Sequence, residues 1–179
     1  LAPFGRLSDR DAVQAFDKDF PLVLFDANMP DIGQAYVGTN NDQSVDLMVE
    51  YLCRSGEAPC FFEMKSPTNP NANKRHQAYI ESMERHGPVP HIFQVDGEGW
   101  NFEEIGSTEG GRLLSSKAFN TNTILCSNDR LAIGLISAAY GLGLRVGHGA
   151  GCAIRIAGHD DHPFSRFTCP PLTTIAQDY

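Results

Sequence analysis

The sequence predicts an α/β fold with parallel, doubly wound, Rossmann-like sheets. Short runs rich in β-branched and aromatic residues alternate with longer runs whose apolar residues recur at helical spacing, the pattern of consecutive βαβ units. Gly56, Gly87 and Gly141 follow three of the predicted helices, where a glycine often takes the left-handed conformation that ends a helix. With 179 residues, 41% of them hydrophobic, the chain is long enough to bury a substantial core.

Each predicted element follows from its residue pattern. The second helix is typical, since Val45, Met48 and Leu52 fall on one side of a 3.6-residue repeat. Ser8 and Asp11 resemble a capping arrangement that opens a short first helix through Phe16. The predicted strands cover residues 21–25, 36–38, 60–64, 91–95, 123–126, 153–157 and 172–175, and the later helices cover residues 42–54, 73–85, 103–115 and 129–140.

Charge and cysteine content narrow the class of protein. The net charge of −8, from 22 acidic and 14 basic residues, argues against a surface that neutralises nucleic-acid phosphates. Five cysteines without a CxxC pair indicate free thiols in a reducing compartment, so we expect a cytoplasmic protein. The sequence shows neither a membrane-spanning apolar run nor a signal segment, and Leu1 in place of Met suggests that these residues come from within a longer polypeptide.

Polar side chains follow several predicted strands at their carboxyl ends. Ligands of open parallel sheets bind outside these ends, because the loops diverge there and helix N-termini point into the crevice. We therefore expect one shared rim formed by Asp26, Lys74, Arg75, Trp100, Asn128, Asp129, Asp160 and Asp161.

The chemistry of this set favours recognition of a sugar. Carboxylates and a carboxamide accept from hydroxyl groups, a guanidinium donates to them, and an indole covers the apolar face of a pyranose. Simpler roles remain open: Asp26 as a turn residue, Asn128 as a helix N-cap, Arg75 in an ion pair and Trp100 in the core. Asp160 beside Asp161 is a like-charge pair that favours a bound donor.

Motifs for catalysis, metals and cofactors are weak. The sequence lacks a G-x-S-x-G elbow, an H-E-x-x-H pair and a phosphate-binding P-loop. The glycine-rich stretch 147–151 precedes a strand, which indicates a turn. The run from His159 to His162 contains possible metal ligands, but adjacent residues alternate in direction, so we interpret it as a strand-end loop. We predict no catalytic residue, no metal site and no cofactor.

Together, several stretches resemble the effector-binding core of the LacI/GalR repressor family over nearly the whole chain. An arginine before a helix, Arg75, adds to the match, whereas the segment MKSPTNPNANKR after the third predicted strand departs from the usual glycine-containing turn. The matching stretches are PLVLFD (21–26), VGTNN (37–41), TILCSNDRLAIG (123–134), GLGLRV (141–146), AGHDD (157–161) and PPLTTIAQD (170–178).

The resemblance implies a type I periplasmic-binding-protein-like fold with two Rossmann-like subdomains and an effector in the cleft between them. It divides the chain into an incomplete N-terminal subdomain (1–38), a C-terminal effector-binding subdomain (39–175) and the start of a return to the first (176–179). It also implies a homodimer, allosteric control, and operator DNA bound only through a helix-turn-helix headpiece before Leu1. The effector-contacting positions that it assigns are Asp26, Arg75, Asn128 and Asp160, with Trp100 as a stacking aromatic and Gln177 as a cleft or hinge residue.

Two other classes of protein fit parts of this pattern. A periplasmic sugar-binding protein of a transporter shares the fold, although the PPLTTI stretch and the unpaired cysteines favour the repressor. An enzyme of the doubly wound class would use Asp160 or His159 as a general base, but no nucleophile accompanies them.

Overall fold

The computed structural model describes residues 1–3 and 8–177, so the last part of the predicted return segment lies outside the described residues. Its first helix, α1 (Arg10–Asp19), begins after Asp9, whose carboxylate accepts from the backbone N–H of Ala12 at 3.0 Å. The helix therefore extends three residues beyond the predicted end at Phe16, and no helical residue in it is buried.

A small parallel sheet follows α1. Strand β1 (Val23–Phe25) pairs with β2 (Ala35–Val37), with Leu24 opposite Tyr36. Its core is formed by Leu22, Leu24, Met29 and Ile32. Val23 and Phe25, on the other side of β1, are exposed, so only one face of this sheet is packed.

A second sheet contains four parallel strands, and it confirms the predicted doubly wound α/β class. Its strands are β3 (Cys60–Met64), β4 (Ile92–Val95), β5 (Thr123–Cys126) and β6 (Arg155–Ala157), in the order β4-β3-β5-β6. Every residue of β3, β5 and β6 is buried, as expected for a parallel sheet covered on both faces.

Two pairs of helices cover this sheet. Helices α2 (Asn41–Ser55) and α3 (Pro70–His86) pack on one face around Phe61 and Leu125. Helices α4 (Phe102–Ser115) and α5 (Asp129–Gly141) pack on the other around Phe62 and Ile124. The α4–α5 contact depends on glycine, because a Cβ at Gly134 would clash with the carbonyl oxygen of Glu103. No helix in the described part of the chain is both long and apolar enough to cross a bilayer.

The strand order creates a crevice at the carboxyl edge of the sheet. The chain leaves β3 toward α3 on one face and leaves the neighbouring β5 toward α5 on the other. The two connections diverge, which is the arrangement of a topological switch point, where ligands of open α/β sheets bind.

Some element boundaries differ from the sequence prediction. The predicted strand 172–175 pairs with the β6 region only through the isolated bridges Ala157–Thr173 and Asp160–Ala176. The backbone turns out of the extended conformation at Asp160 and Asp161, whose φ angles are 120° and 49°, and this interrupts the ladder. The prediction of a full strand there was therefore wrong.

The three glycines predicted to end helices in the left-handed conformation differ in the structure. Gly87 has the expected left-handed φ of 98° and ends α3, with its N–H donating to Met83 O. Gly56 has an extended φ of 176°, and Gly141 is still the last residue of α5. For these two glycines the left-handed expectation was wrong.

Candidate functional site

A cavity of about 250 Å³ opens at the switch point. Its walls include side chains that follow β1, β3, β4, β5 and β6, so residues far apart in the chain meet there. The structure brings all six predicted effector-binding residues to this one cavity, namely Asp26, Arg75, Trp100, Asn128, Asp160 and Gln177.

Arg75, in the second turn of α3, organises one wall. Its side chain is buried, and all three guanidinium nitrogens are engaged. Nε donates to Asn41 Oδ1 at 3.1 Å, one terminal nitrogen donates to Ser127 O at 2.8 Å, and the other lies 2.7 Å from Asp160 Oδ1. The guanidinium thus ties α2, β5 and the loop after β6 together.

Gln177 extends this arrangement. Its amide donates to Asp160 Oδ1, and its Oε1 accepts from the hydroxyl of Thr39 at 2.7 Å. The end of the described chain is thereby joined to the residues just before α2. Arg75, His159 and Gln177 all engage Oδ1 of Asp160, and among the described residues no hydrogen bond reaches its Oδ2.

The environment keeps Asp160 ionised. Burial alone favours the protonated carboxyl, but the hydrogen bond with His159 and the charge of Arg75 together outweigh it and lower the pKa of Asp160 below its ordinary value. The pKa of His159 is also lowered, mainly because burial disfavours the charged imidazolium. The wall therefore contains one carboxylate acceptor held against one guanidinium.

Asp26 and Asn71 form a second part of the cavity wall. Asp26 follows β1 with a left-handed φ of 64°, and its carbonyl oxygen accepts from the hydroxyl of Tyr36 at 2.8 Å. Nδ2 of Asn71 donates to the same carbonyl oxygen at 2.9 Å and to Asp26 Oδ1 at 3.0 Å. Non-glycine residues with positive φ are uncommon and often occur at functional sites, and Asp26 and Asp160 both have it.

Asn128 has two roles in the structure. Its Oδ1 accepts from the backbone N–H of Leu131 at 2.9 Å, which makes it the N-cap of α5. The same residue lines the cavity. In the described part of the chain its Nδ2 has no hydrogen-bond partner, so this group is available as a donor to a ligand.

An aromatic wall completes the cavity. The indole of Trp100 meets the ring of Phe102 edge to face, with centroids 5.7 Å apart. The guanidinium of Arg130 lies 5.3 Å from the Phe102 centroid and binds both carboxylate oxygens of Glu103, at 2.6 and 2.7 Å. Trp100 is 37% exposed, so its ring is accessible to a ligand.

Three residues expected at the rim do not line the cavity. Lys74 Nζ lies over the ring of Tyr36, and Asp161 pairs with Arg166 at 3.3 Å. Asp129 is fully buried and accepts hydrogen bonds from the backbone N–H of His162 and two hydroxyls. Burial raises the pKa of Asp129, and its role is to hold the loop after β6. For these three residues the rim prediction was wrong.

The sequence prediction missed Asn71, Arg130 and Asn41. Asn69 and Pro70 were a usable signal for Asn71, because an N-cap residue followed by proline opens a helix. In the structure α3 begins at Pro70, three residues before the predicted start, so Asn71 lies in its first turn. Asn41 and Arg130 lack such a local signal, since only the tertiary fold shows what they contact.

The comparisons with known proteins agree with this geometry. Residues 51–179 match the family model described as a periplasmic binding protein-like domain. The chain belongs to this family. Within the periplasmic binding protein-like family, the resemblance to LacI/GalR effector-binding domains inferred from the sequence is confirmed by its relatives.

Two curated relatives and one solved structure illustrate the match. An uncharacterized HTH-type transcriptional regulator, YvdE of Bacillus subtilis, is 27% identical over 92% of this chain and 48% of its own length. The ribose operon repressor of Escherichia coli is 28% identical over 88% of this chain and 46% of its own. A Lac repressor dimer bound to operator and the anti-inducer ONPF is 25% identical, with a TM-score of 0.75 over 94% of this chain and 56% of that one. The chain thus spans about half the length of the curated relatives it matches.

Proposed function

We propose that this chain is the effector-binding part of a LacI/GalR-type transcriptional regulator and that it binds a sugar-like small molecule without catalysing a reaction. The observation that carries the proposal is the meeting of Asp26, Arg75, Trp100, Asn128, Asp160 and Gln177 around one cavity. Carboxylate and amide acceptors, an amide donor and an accessible indole are the groups that a polyhydroxylated ring requires.

The cavity favours binding over catalysis. As a general base, Asp160 would need a raised pKa, but its pKa is lowered. Both ring nitrogens of His159 are engaged, with Ser44 Oγ at 2.8 Å and Asp160 Oδ1 at 3.1 Å, and the side chain is buried. His159 thus has neither a free nitrogen nor access to a ligand in the cavity, which argues against the alternative of a doubly wound enzyme with His159 as general base.

The proposed regulation follows from the chain segments that meet at the cavity. Asp26 belongs to the proposed N-terminal subdomain (1–38), Arg75 and Asp160 belong to the C-terminal one (39–175), and Gln177 belongs to the return segment (176–179). A ligand that contacts all of them favours one relative arrangement of the subdomains. It shifts the equilibrium only as far as it binds that arrangement more tightly.

In the whole protein we place this domain in a cytoplasmic homodimer that binds operator DNA through a separate headpiece. The Lac repressor neighbour is a dimer bound to operator, which supports this arrangement. The net charge of −8 supports DNA contacts through residues outside this chain, because an acidic surface repels nucleic-acid phosphates. The alternative, a sugar-binding protein of a transporter, is less well supported because the curated relatives described above are transcriptional regulators.

Calorimetric titration with neutral aldoses tests the proposed binding. We expect saturable binding of at least one sugar and about a 100-fold loss of affinity in Arg75→Ala, because this change leaves Asp160 unpaired in the cavity wall. Arg54→Ala is the matched control, since Arg54 is an exposed arginine whose one ion pair within residues 1–3 and 8–177 is with Glu50. Equal affinity in the Arg75→Ala and Arg54→Ala variants would contradict the assignment of the cavity.

A substrate panel tests the absence of catalysis. We expect no turnover of any sugar or sugar ester by the wild-type protein. Turnover that disappears in Asp160→Asn would instead establish an enzyme.

A further inference from the structure

The charged groups of the cavity are unequally compensated. Each of the two arginines in its lining already has a carboxylate partner: Arg75 lies 2.7 Å from Asp160, and Arg130 binds Glu103 through two hydrogen bonds. Neither guanidinium therefore needs an anionic ligand to neutralise it.

Asp26 is the carboxylate of the cavity without a cationic partner. Among the described residues no lysine, arginine or histidine nitrogen lies within 4.0 Å of it, and its carboxylate accepts only from the neutral amide of Asn71. Lys74 lies one turn of helix beyond Asn71, but its Nζ donates to the hydroxyl of Tyr36 at 3.3 Å. Because Asp160 pairs with Arg75, and Glu103, which lies outside the lining, pairs with Arg130, Asp26 is the one charged group of the lining without an ion-pair partner among the described residues.

Asn71 adds a buried acceptor without a donor. Both hydrogen bonds of its Nδ2 go to acceptor oxygens of Asp26, which fixes the orientation of the amide group. Its Oδ1 is fully buried and has no partner in the described part of the chain. An unpaired buried acceptor is costly, and a ligand O–H or N–H supplies the missing donor. Oδ2 of Asp26 and Oδ2 of Asp160 also lack partners among the described residues, so the free acceptors of the cavity outnumber its free donors.

We infer that this cavity selects uncharged ligands rich in hydroxyl groups and rejects sugar acids and sugar phosphates, and that Asp26 and Asn71 set this selectivity. The inference rests on the proposed effector-binding function and specifies the class of ligand. A neutral polyol donates to the free oxygens of Asp26 and Asn71, whereas a carboxylate or phosphate would bring a second negative charge to a partly buried one. At a separation of about 5 Å such repulsion weakens binding on the order of 100-fold.

Matched ligands test the selectivity by calorimetry. Glucose is compared with glucuronate and glucose 6-phosphate, and galactose with galacturonate and galactose 6-phosphate, since each of these anions keeps the ring of its neutral partner. We expect the neutral member that binds best to exceed both anionic counterparts by about 100-fold. In Asp26→Asn we expect this ratio to fall to about tenfold or less, because the uncompensated charge is removed while asparagine tolerates the left-handed conformation.

Asp161→Asn is the matched control. Asp161 also has a positive φ, of 49°, but it faces Arg166 and does not line the cavity, so its variant should keep the wild-type ratio. A sugar acid or phosphate that binds the wild type as tightly as its neutral partner would overturn the inference and leave the proposed effector-binding function intact. An unchanged ratio in Asp26→Asn would remove Asp26 from the explanation. Failure of every neutral and anionic ligand to bind would overturn both proposals.

Discussion

The two polar walls of the cavity are built differently. Arg75 forms the centre of one wall, where each guanidinium nitrogen already has a protein acceptor and Asp160 is held by three donors. On the other wall, Asp26 lacks a cation and Asn71 Oδ1 lacks any partner in the described part of the chain. We therefore infer different roles for the two walls. The paired wall, formed by Arg75 and Asp160, stabilises the fold and the geometry of the site. The unpaired wall, formed by Asp26 and Asn71, keeps hydrogen-bonding groups available for a ligand.

Breaking the paired wall should have the largest effect on stability. We expect Arg75→Ala to lower the free energy of unfolding by about 3 kcal/mol, since it leaves Asp160, Asn41 and the Ser127 carbonyl without their donor. Urea denaturation measures this change. In the Arg54→Ala control the exposed, 3.6 Å pair with Glu50 is lost, and the expected change is below about 1 kcal/mol. Similar losses in both variants would show that the Arg75 wall is not structural.

The pH dependence of stability sharpens the same comparison. Because the folded-state pKa of Asp160 is lowered, its ionised form stabilises the protein above its unfolded pKa of about 3.9, and this stabilisation is lost as the pH falls through the folded-state pKa. Asp160→Asn should therefore be less stable than wild type at pH 7, by about 2 kcal/mol, and the gap should narrow toward pH 3. Denaturant unfolding at several pH values measures the gap, and a constant gap would contradict the charge assignment.

A change in the unpaired wall should cost less stability. Asn71→Ala removes two hydrogen bonds to Asp26 but also removes the orphaned Oδ1, so we expect a loss of about 1 kcal/mol. The affinity for a neutral sugar should fall about tenfold, because one donor–acceptor contact to the ligand is lost. Asn73→Ala, an exposed asparagine in the same helix, is the control for both measurements. A stability loss as large as that of Arg75→Ala would remove the distinction between the walls.

The aromatic wall should show the smallest change in stability. Trp100 is 37% exposed and meets Phe102 through one edge-to-face contact, so Trp100→Ala should lower the free energy of unfolding by about 1 kcal/mol or less. Sugar affinity, measured by calorimetry, should still fall about tenfold, and Trp100→Phe should recover part of it. Unchanged affinity in Trp100→Ala would exclude stacking on the indole.

Local patterns in the sequence explain why most of the fold was predictable. The apolar spacing of α2 predicts its helix, and the largely apolar runs of β3 and β5 predict buried strands, since a parallel sheet covered on both faces needs nearly continuous apolar strands. Strand 172–175 failed because the left-handed turn at Asp160 and Asp161 is not encoded by apolar alternation.

The site was predictable where chemistry coincides with strand ends and family motifs, as at Asp26, Asn128 and Asp160. Asn69 and Pro70 could have placed Asn71 in the first turn of α3, but the contact of Asn71 with Asp26 depends on how α3 lies against the small sheet. The contact of Arg130 with Glu103 depends likewise on how α5 lies against α4, and no local pattern records either placement. The sequence also predicted cavity residues that do not line the cavity, namely Lys74, Asp129 and Asp161. Each is adjacent in sequence to a residue that lines the cavity, but its side chain contacts a different partner.

The fluorescence of Trp100 tests the central claim most directly, because Trp100 is the single tryptophan of the chain and lines the cavity. Titration with the sugar that calorimetry identifies should change its emission saturably, with the calorimetric dissociation constant, and Arg75→Ala should abolish this change at the same sugar concentrations. Sugar binding that calorimetry detects while the emission of Trp100 stays constant would place the ligand elsewhere and contradict the account.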